Sequence, residues 1–170
     1  YSLGDHSESI EITFDPEVIS YRDLLDVFWA SHSPTYRSSS RQYQAFVFHH
    51  DEAQKAAAEE TRDAIAAGLG KEVKTQVVQA GTFYQAEDYH QKYYLTTQPD
   101  IRSILLARYP NYADFIASTA VARLNGYAGG YITAENLVRE LTSAGWTQPD
   151  VVRVLEAAGE NAAALCPVPD

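Results

Sequence analysis

The sequence predicts an α+β fold: a mixed sheet flanked by helices, followed by a helical C-terminal extension. Three observations lead there. Short segments near the N-terminus alternate apolar and polar residues, the period-two signature of half-buried strands. Between them lie stretches with helical spacing, so strands and helices alternate and a layer of helices can cover a sheet. From Pro99 onward the pattern is helical throughout. The expected division is a core over residues 1–98 and an extension over 99–170.

Taken in order, "ESIEITF" (8–14) sets Ile10, Ile12 and Phe14 against Glu11 and Thr13, which predicts a strand. "DPEVIS" turns the chain, and Ser20 with Asp23 three residues later reads as a helix N-cap followed by an acidic first turn. Leu24, Leu25, Phe28 and Trp29 then form one apolar stripe, so residues 21–32 are expected to be helical. "SPTYRSSSR" (33–41) is a loop by its proline and serines, and "YQAFVFHH" (43–50) is a second strand. Asp51 caps an alanine-rich helix that ends at Gly68 and Gly70, and "EVKTQVVQ" (72–79) is a third strand. The extension holds four helical segments, "DIRSILLARY", "YADFIASTAVARL", "AENLVRELTSAGW" and "DVVRVLEAAGENAAAL", parted by Pro110, "NGYAGGYIT" and "TQP".

The bulk numbers exclude several classes. At 170 residues with 45% hydrophobic content the chain can bury a core without cross-links. No stretch approaches the length of a membrane span, so a soluble, cytoplasmic protein with no membrane partner is expected. Twenty-three acidic residues against thirteen basic give a net charge of -10, which repels phosphates and argues against nucleic acid as a partner. The one cysteine, Cys166, leaves no internal disulfide to form within the chain and no multi-cysteine zinc cluster. The chain begins at Tyr1 and contains no methionine, which suggests a truncated or processed product.

"FYQAEDYHQKYYL" (83–95) concentrates five aromatics, Glu87, Asp88 and His90. Glu87 and His90 have the Glu-x-x-His spacing of carboxylate-bridged metal proteins, but such sites need a second pair and further glutamates, so no metal is expected. His49 and His50 are adjacent on an expected strand and point to opposite faces, so at most one can join a site. "GYAGG" (126–130) is glycine-rich enough to cradle an anion, yet it lacks a preceding strand and the GxGxxG spacing, and it reads as a helix-to-helix connection. "GDHSES" (4–9) gathers Asp5, His6, Ser7 and Glu8, but neighbours in sequence rarely converge as a triad. Glu8 taken alone is open to two readings: an exposed residue at a strand end, or a general acid held in an aromatic pocket. Cys166, on a proline-flanked tail, is equally open as an inert thiol or a reachable one suited to thiol–disulfide exchange.

Three separated stretches, "GDHSESIEITFDPEVISYRDLLDVFW", "RQYQAFVFHHDEAQKAAA" and "FYQAEDYHQKYYL", resemble in order and spacing the peptide methionine sulfoxide reductases of the A type. "VARLNGYAGG" is similar to the animal-like branch that carries a helical extension. The resemblance implies the family's sandwich fold and its reaction, reduction of methionine S-sulfoxide in proteins or as the free amino acid, as repair of oxidative damage. It implies a thiolate nucleophile that becomes a sulfenic acid, a resolving cysteine that forms a disulfide, thioredoxin or another thiol as reductant, no bound cofactor, and a monomer. By motif, Glu8 matches the acid that meets the sulfoxide oxygen, and Tyr43 of "RQYQ" matches the tyrosine that helps hold that oxygen. Cys166 resembles a C-terminal resolving cysteine, and Tyr1 stands in for a second tyrosine. His90 and Tyr93 belong to the wall of the substrate pocket. The family's "GCFWG" segment, with its nucleophile and Phe-Trp wall, has no counterpart in these residues, and "SSSR" replaces an acidic residue before "QY". The expectation is a reductase body that does not turn over as it stands. The alternative is a non-catalytic relative that binds methionine-containing peptides.

Overall fold

The computed structural model describes residues 6–165, and Tyr1 and Cys166 therefore lie outside the described residues. They form two compact units, divided between Tyr84 and Gln85. That boundary falls inside the 83–95 stretch, ahead of the change of pattern at Pro99.

The N-terminal unit holds helix α1 (Tyr21–Ala30), strand β1 (Phe46–His49), helix α2 (Glu52–Leu69) and strand β2 (Gln76–Gln79). Helix α1 starts at a capping box: the Ser20 hydroxyl accepts from the Asp23 amide, and the Asp23 carboxylate accepts from the Ser20 amide at 2.9 Å. The Ser20 hydroxyl also donates to the Asp23 carboxylate, and that bond first, then the one from the Ser20 amide, holds the Asp23 carboxyl below its ordinary range. Helix α2 starts at Asp51, whose carboxylate accepts from the Gln54 amide at 2.8 Å, and stops at Gly70, which adopts φ 59°. A side chain there would be strained, so the glycine sets the helix end.

Strands β1 and β2 run parallel, Val47 beside Val77 and His49 beside Gln79, with α2 as the crossover between them. Leu25 and Trp29 of α1, Val47 of β1 and Ala58 of α2 are buried together, with Tyr21, Phe28, Ile65 and Val77 packed around them. The Trp29 indole N–H would be stranded in this core. It donates to the Thr61 hydroxyl at 2.9 Å, and Thr61 in turn donates to the Ala57 carbonyl at 3.0 Å. His32 bridges the Phe28 carbonyl and the buried Thr75 hydroxyl at 2.8 Å each, fastening the end of α1 to the start of β2.

The expected strand over 8–14 is absent. Those residues carry no regular structure, and Ile10 is 85% exposed. A strand exists only where a neighbour takes its backbone hydrogen bonds, and among the described residues the sheet consists of β1 and β2 alone. The fold is α+β, but mostly helical with a small parallel pair, not the larger mixed sheet expected.

The C-terminal unit contains a 3₁₀ turn (Tyr93–Thr97) and helices α3 (Pro99–Arg108), α4 (Tyr112–Ala117), α5 (Thr119–Ala128), α6 (Ala134–Ser143), α7 (Gln148–Ala157) and α8 (Ala162–Leu165). Leu95, Ile101, Leu105, Phe115, Leu124, Leu137, Leu141 and Leu155 are fully buried in one core. Two segments expected to be continuous are broken. Ser118, in extended conformation, separates α4 from α5 and caps α5 through the Val121 amide. Gly159, at φ 77°, ends α7, and the Glu160 amide returns to the Leu155 carbonyl at 2.9 Å. No helix among the described residues is long and apolar enough to cross a membrane.

Replacing Trp29 by Phe keeps an aromatic side chain but removes buried volume and leaves Thr61 without its buried donor, and is expected to lower unfolding stability by at least about 1–2 kcal/mol. Urea denaturation followed by far-UV circular dichroism measures it.

Candidate active site around Glu8 and Tyr43

Residues 7–8 and 41–43 are distant in sequence and fastened in space. The Glu8 amide donates to the Gln42 carbonyl at 2.9 Å, and the Gln42 side-chain amide donates to the Glu8 carboxylate at 2.7 Å. The Ser7 hydroxyl donates to the Arg41 carbonyl at 3.1 Å. Arg41–Tyr43 forms a 3₁₀ turn, closed by the Tyr43 amide on the Ser40 carbonyl, so Tyr43 is carried beside the residue that holds the acid. Both Glu8 and the Tyr43 ring are exposed, the latter at 64%.

Aromatic side chains meet residues close in sequence to this pair. The strand following Tyr43 turns Phe46 and Phe48 to the face opposite the core, stacked at 5.5 Å, and the Arg41 guanidinium lies 5.9 Å from the Phe46 ring centre. Tyr84 meets His6 edge-on at 5.2 Å. The start of the 83–95 stretch therefore reaches the "GDHSES" segment. Gln42, Tyr84 and His6 were not singled out for this role in the sequence. Only the glutamine's place beside Tyr43 gave a signal for them.

His90 and Tyr93 fall in the C-terminal unit. His90 sits in a turn closed by its own amide on the Glu87 carbonyl at 2.9 Å, not on a helix, and its Nε2 is 3.8 Å from the Glu87 carboxylate with both side chains exposed. No group of three or more His, Cys, Asp or Glu able to hold a metal occurs among the described residues. His49, the last residue of β1, is buried with Nδ1 unpartnered, and His50, just past the strand, is exposed.

Lys92 takes a left-handed φ of 52° and is partly buried, which lowers its ammonium pKa. Next to it the Tyr93 and Tyr94 rings meet edge-on, and the Tyr94 and Tyr131 hydroxyls pair at 3.1 Å. One glycine of "GYAGG" serves this cluster. A Cβ on Gly129 would come within 2.8 Å of both the Tyr94 and Tyr131 rings, so the segment is a seat for tyrosines at the end of α5. Burial, and then a hydrogen bond to the Glu160 carboxylate, push the Tyr127 hydroxyl up to about 12.

The class defined by the fold is an α+β chain, mostly helical with a small parallel strand pair, in which an exposed acid is tied by two hydrogen bonds to the residue before a tyrosine. The comparisons give the chain a family. Residues 2–124 match the family model for peptide methionine sulfoxide reductase. The chain belongs to the peptide methionine sulfoxide reductase family. The peptide methionine sulfoxide reductase MsrA of Methanosarcina acetivorans is 43% identical over 96 residues, 52% of this chain and 51% of that protein. The Methanothermobacter thermautotrophicus MsrA is 40% identical over 111 residues, 61% of this chain and 65% of that protein. The Drosophila melanogaster peptide methionine sulfoxide reductase is 35% identical over 149 residues, 85% of this chain and 58% of that protein. The chain thus spans about half to two thirds of the length of these curated relatives.

The Tyr127 pair makes a pH prediction. Its folded pKa is raised above the ordinary 10.0, so its contribution to stability is complete below pH 10 and is lost as pH rises toward 12. Titration of tyrosinate absorbance should show a late component near pH 12 that Tyr127→Phe removes.

Proposed function

We propose that the chain forms the body of a peptide-methionine (S)-S-oxide reductase, with the nucleophilic cysteine supplied by a "GCFWG" segment outside these 170 residues. The observation that supports the reading is the double hydrogen bond between Glu8, the motif's acid, and Gln42, the residue before the motif's tyrosine. In the reaction a thiolate attacks the sulfoxide sulfur while Glu8 protonates the departing oxygen and Tyr43 donates to it. The sulfur–oxygen bond breaks with loss of water and leaves the cysteine sulfur bonded to a sulfonium; water then attacks the cysteine sulfur and breaks that sulfur–sulfur bond, so methionine is released as thioether and the cysteine is left as sulfenic acid. A second thiol, assigned to Cys166, displaces water from the sulfenic acid to form a disulfide, which thioredoxin's dithiol reduces.

The aromatic surface supports the substrate half of the proposal. A methyl sulfoxide is a strong hydrogen-bond acceptor with an apolar methyl attached, and the exposed rings of Tyr43, Phe48 and Tyr84 offer apolar area next to polar donors. His90 and Tyr93 are assigned to the substrate wall, and Tyr1 to a second donor on the oxygen. The alternative, a methionine-peptide-binding relative without turnover, is favoured by one observation: the only cysteine present is Cys166.

The test supplies the protein, with the sequence its gene encodes ahead of Tyr1, with dabsylated methionine S-sulfoxide and dithiothreitol. Reduction of the S epimer alone is expected, and no reduction would favour the binding relative. Glu8→Gln should lower kcat by about 10²–10⁴-fold, the range for loss of a general acid. Tyr43→Phe should cost about tenfold, one hydrogen bond to the developing charge. Cys166→Ser should abolish thioredoxin-driven turnover and spare a single stoichiometric reduction.

A further inference from the structure

Strand β2 has a second edge that the described residues leave without a strand. A groove of about 410 Å³ runs beside it, lined by every residue from 72 to 78 together with Arg37 and Arg62. No β1 residue contributes, so the groove follows the edge of β2 that faces away from β1. The hydrogen-bond parity agrees. Gln76 and Ala80 donate their amides to the Ala45 and His49 carbonyls on the β1 side, at 3.2 and 2.8 Å. In a parallel ladder alternate residues serve opposite neighbours, so the amide and carbonyl of Val77 face the groove while its side chain joins the core.

The charge of the groove is opposite to that of the protein. The whole chain carries -10, yet Arg37, Arg62 and Lys74 line this one edge against a single lining acid, Glu72. Glu72 is engaged by the Lys74 ammonium, which holds its carboxyl below the ordinary range. Arg62 is paired with Asp63 at 2.9 Å on the exposed face of α2. Cations on an open edge keep two copies of a sheet from joining, because each would meet its own charges. The same cations favour a strand of the other sign.

We propose that the outer edge of β2 is a docking groove for an extended, acidic polypeptide segment, which adds as a further strand on Val77 and pairs its carboxylates with Arg37, Arg62 and Lys74. Main-chain hydrogen bonds then supply affinity whatever the sequence, and the cations select for acidity. The occupant is a segment of a partner protein and not the β2 edge of a second copy, which carries the same positive charge. The inference stands apart from the reductase reading, since it uses no residue assigned to that chemistry.

The test titrates the protein with a fluorescein-labelled peptide alternating glutamate and valine, free of methionine, and with its lysine–valine twin, reading anisotropy. The acidic peptide should bind and the basic twin should not, and binding should weaken as salt is raised. Arg62→Glu combined with Lys74→Glu should lower affinity at least tenfold. Val77→Pro removes the outward-facing amide and leaves the β1 ladder its donors, so it should lower affinity comparably while the far-UV spectrum is kept. If Val77→Pro does not fold, the charge-reversed protein decides. An acidic peptide that fails to bind or that binds the variants unchanged overturns the proposal, as does a dimer of the protein formed through β2.

Discussion

Two hydrogen bonds between Glu8 and Gln42 hold the candidate site together. The backbone bond fixes the register of residues 7–8 against the 3₁₀ turn at Arg41–Tyr43, and the side-chain bond orients the carboxylate. Everything between these two segments, the capped helix α1 and the loop after it, has to return the chain to its starting point for them to form. Trp29 on Thr61 and His32 on Thr75 make that return, since each satisfies a polar atom that burial in the small core would otherwise strand. The exposed acid is positioned by an ordinary core some residues away from it.

The same demand for backbone partners explains the shape of the N-terminal unit. Among the described residues β1 and β2 pair only with each other, and α2 sets them parallel by spanning the distance between their ends. Residues 8–14 have the side-chain alternation of a strand and, among the described residues, no strand to pair with, and Ile10 and Ile12 are left exposed. The C-terminal unit needs no such pairing. Its helices satisfy their own backbones, and fully buried Leu and Val residues from α3, α5, α6 and α7 close the core.

What could be read from the sequence follows from this difference between local and distant causes. The caps at Ser20 and Asp51 and the stop at Gly70 act within one turn, and the helices begin and end where those residues place them. The strand at 8–14 depended on a partner that alternation cannot name. The break at Ser118 came from a hydroxyl that caps as readily as it sits mid-helix, and the break at Gly159 from a glycine whose left-handed backbone shows only in the fold. Glu8 and Tyr43 entered through a motif, and their fastening by Gln42 was not visible there because it links residues 34 positions apart. "FYQAEDYHQKYYL" divides its roles: Tyr84 reaches His6 in the N-terminal unit, and Tyr94 is seated on Gly129 in the C-terminal one.

The central claim is that Gln42 acts on the chemistry through Glu8. A double-mutant cycle on kcat/KM for methionine S-sulfoxide, with Glu8→Ala and Gln42→Ala alone and together, measures that coupling directly. Residues in contact couple by about 0.5–3 kcal/mol, so the double variant should lose far less than the two single losses combined, with the unfolding midpoint unchanged in Gln42→Ala. Strict additivity, or full activity in Gln42→Ala, would contradict the account.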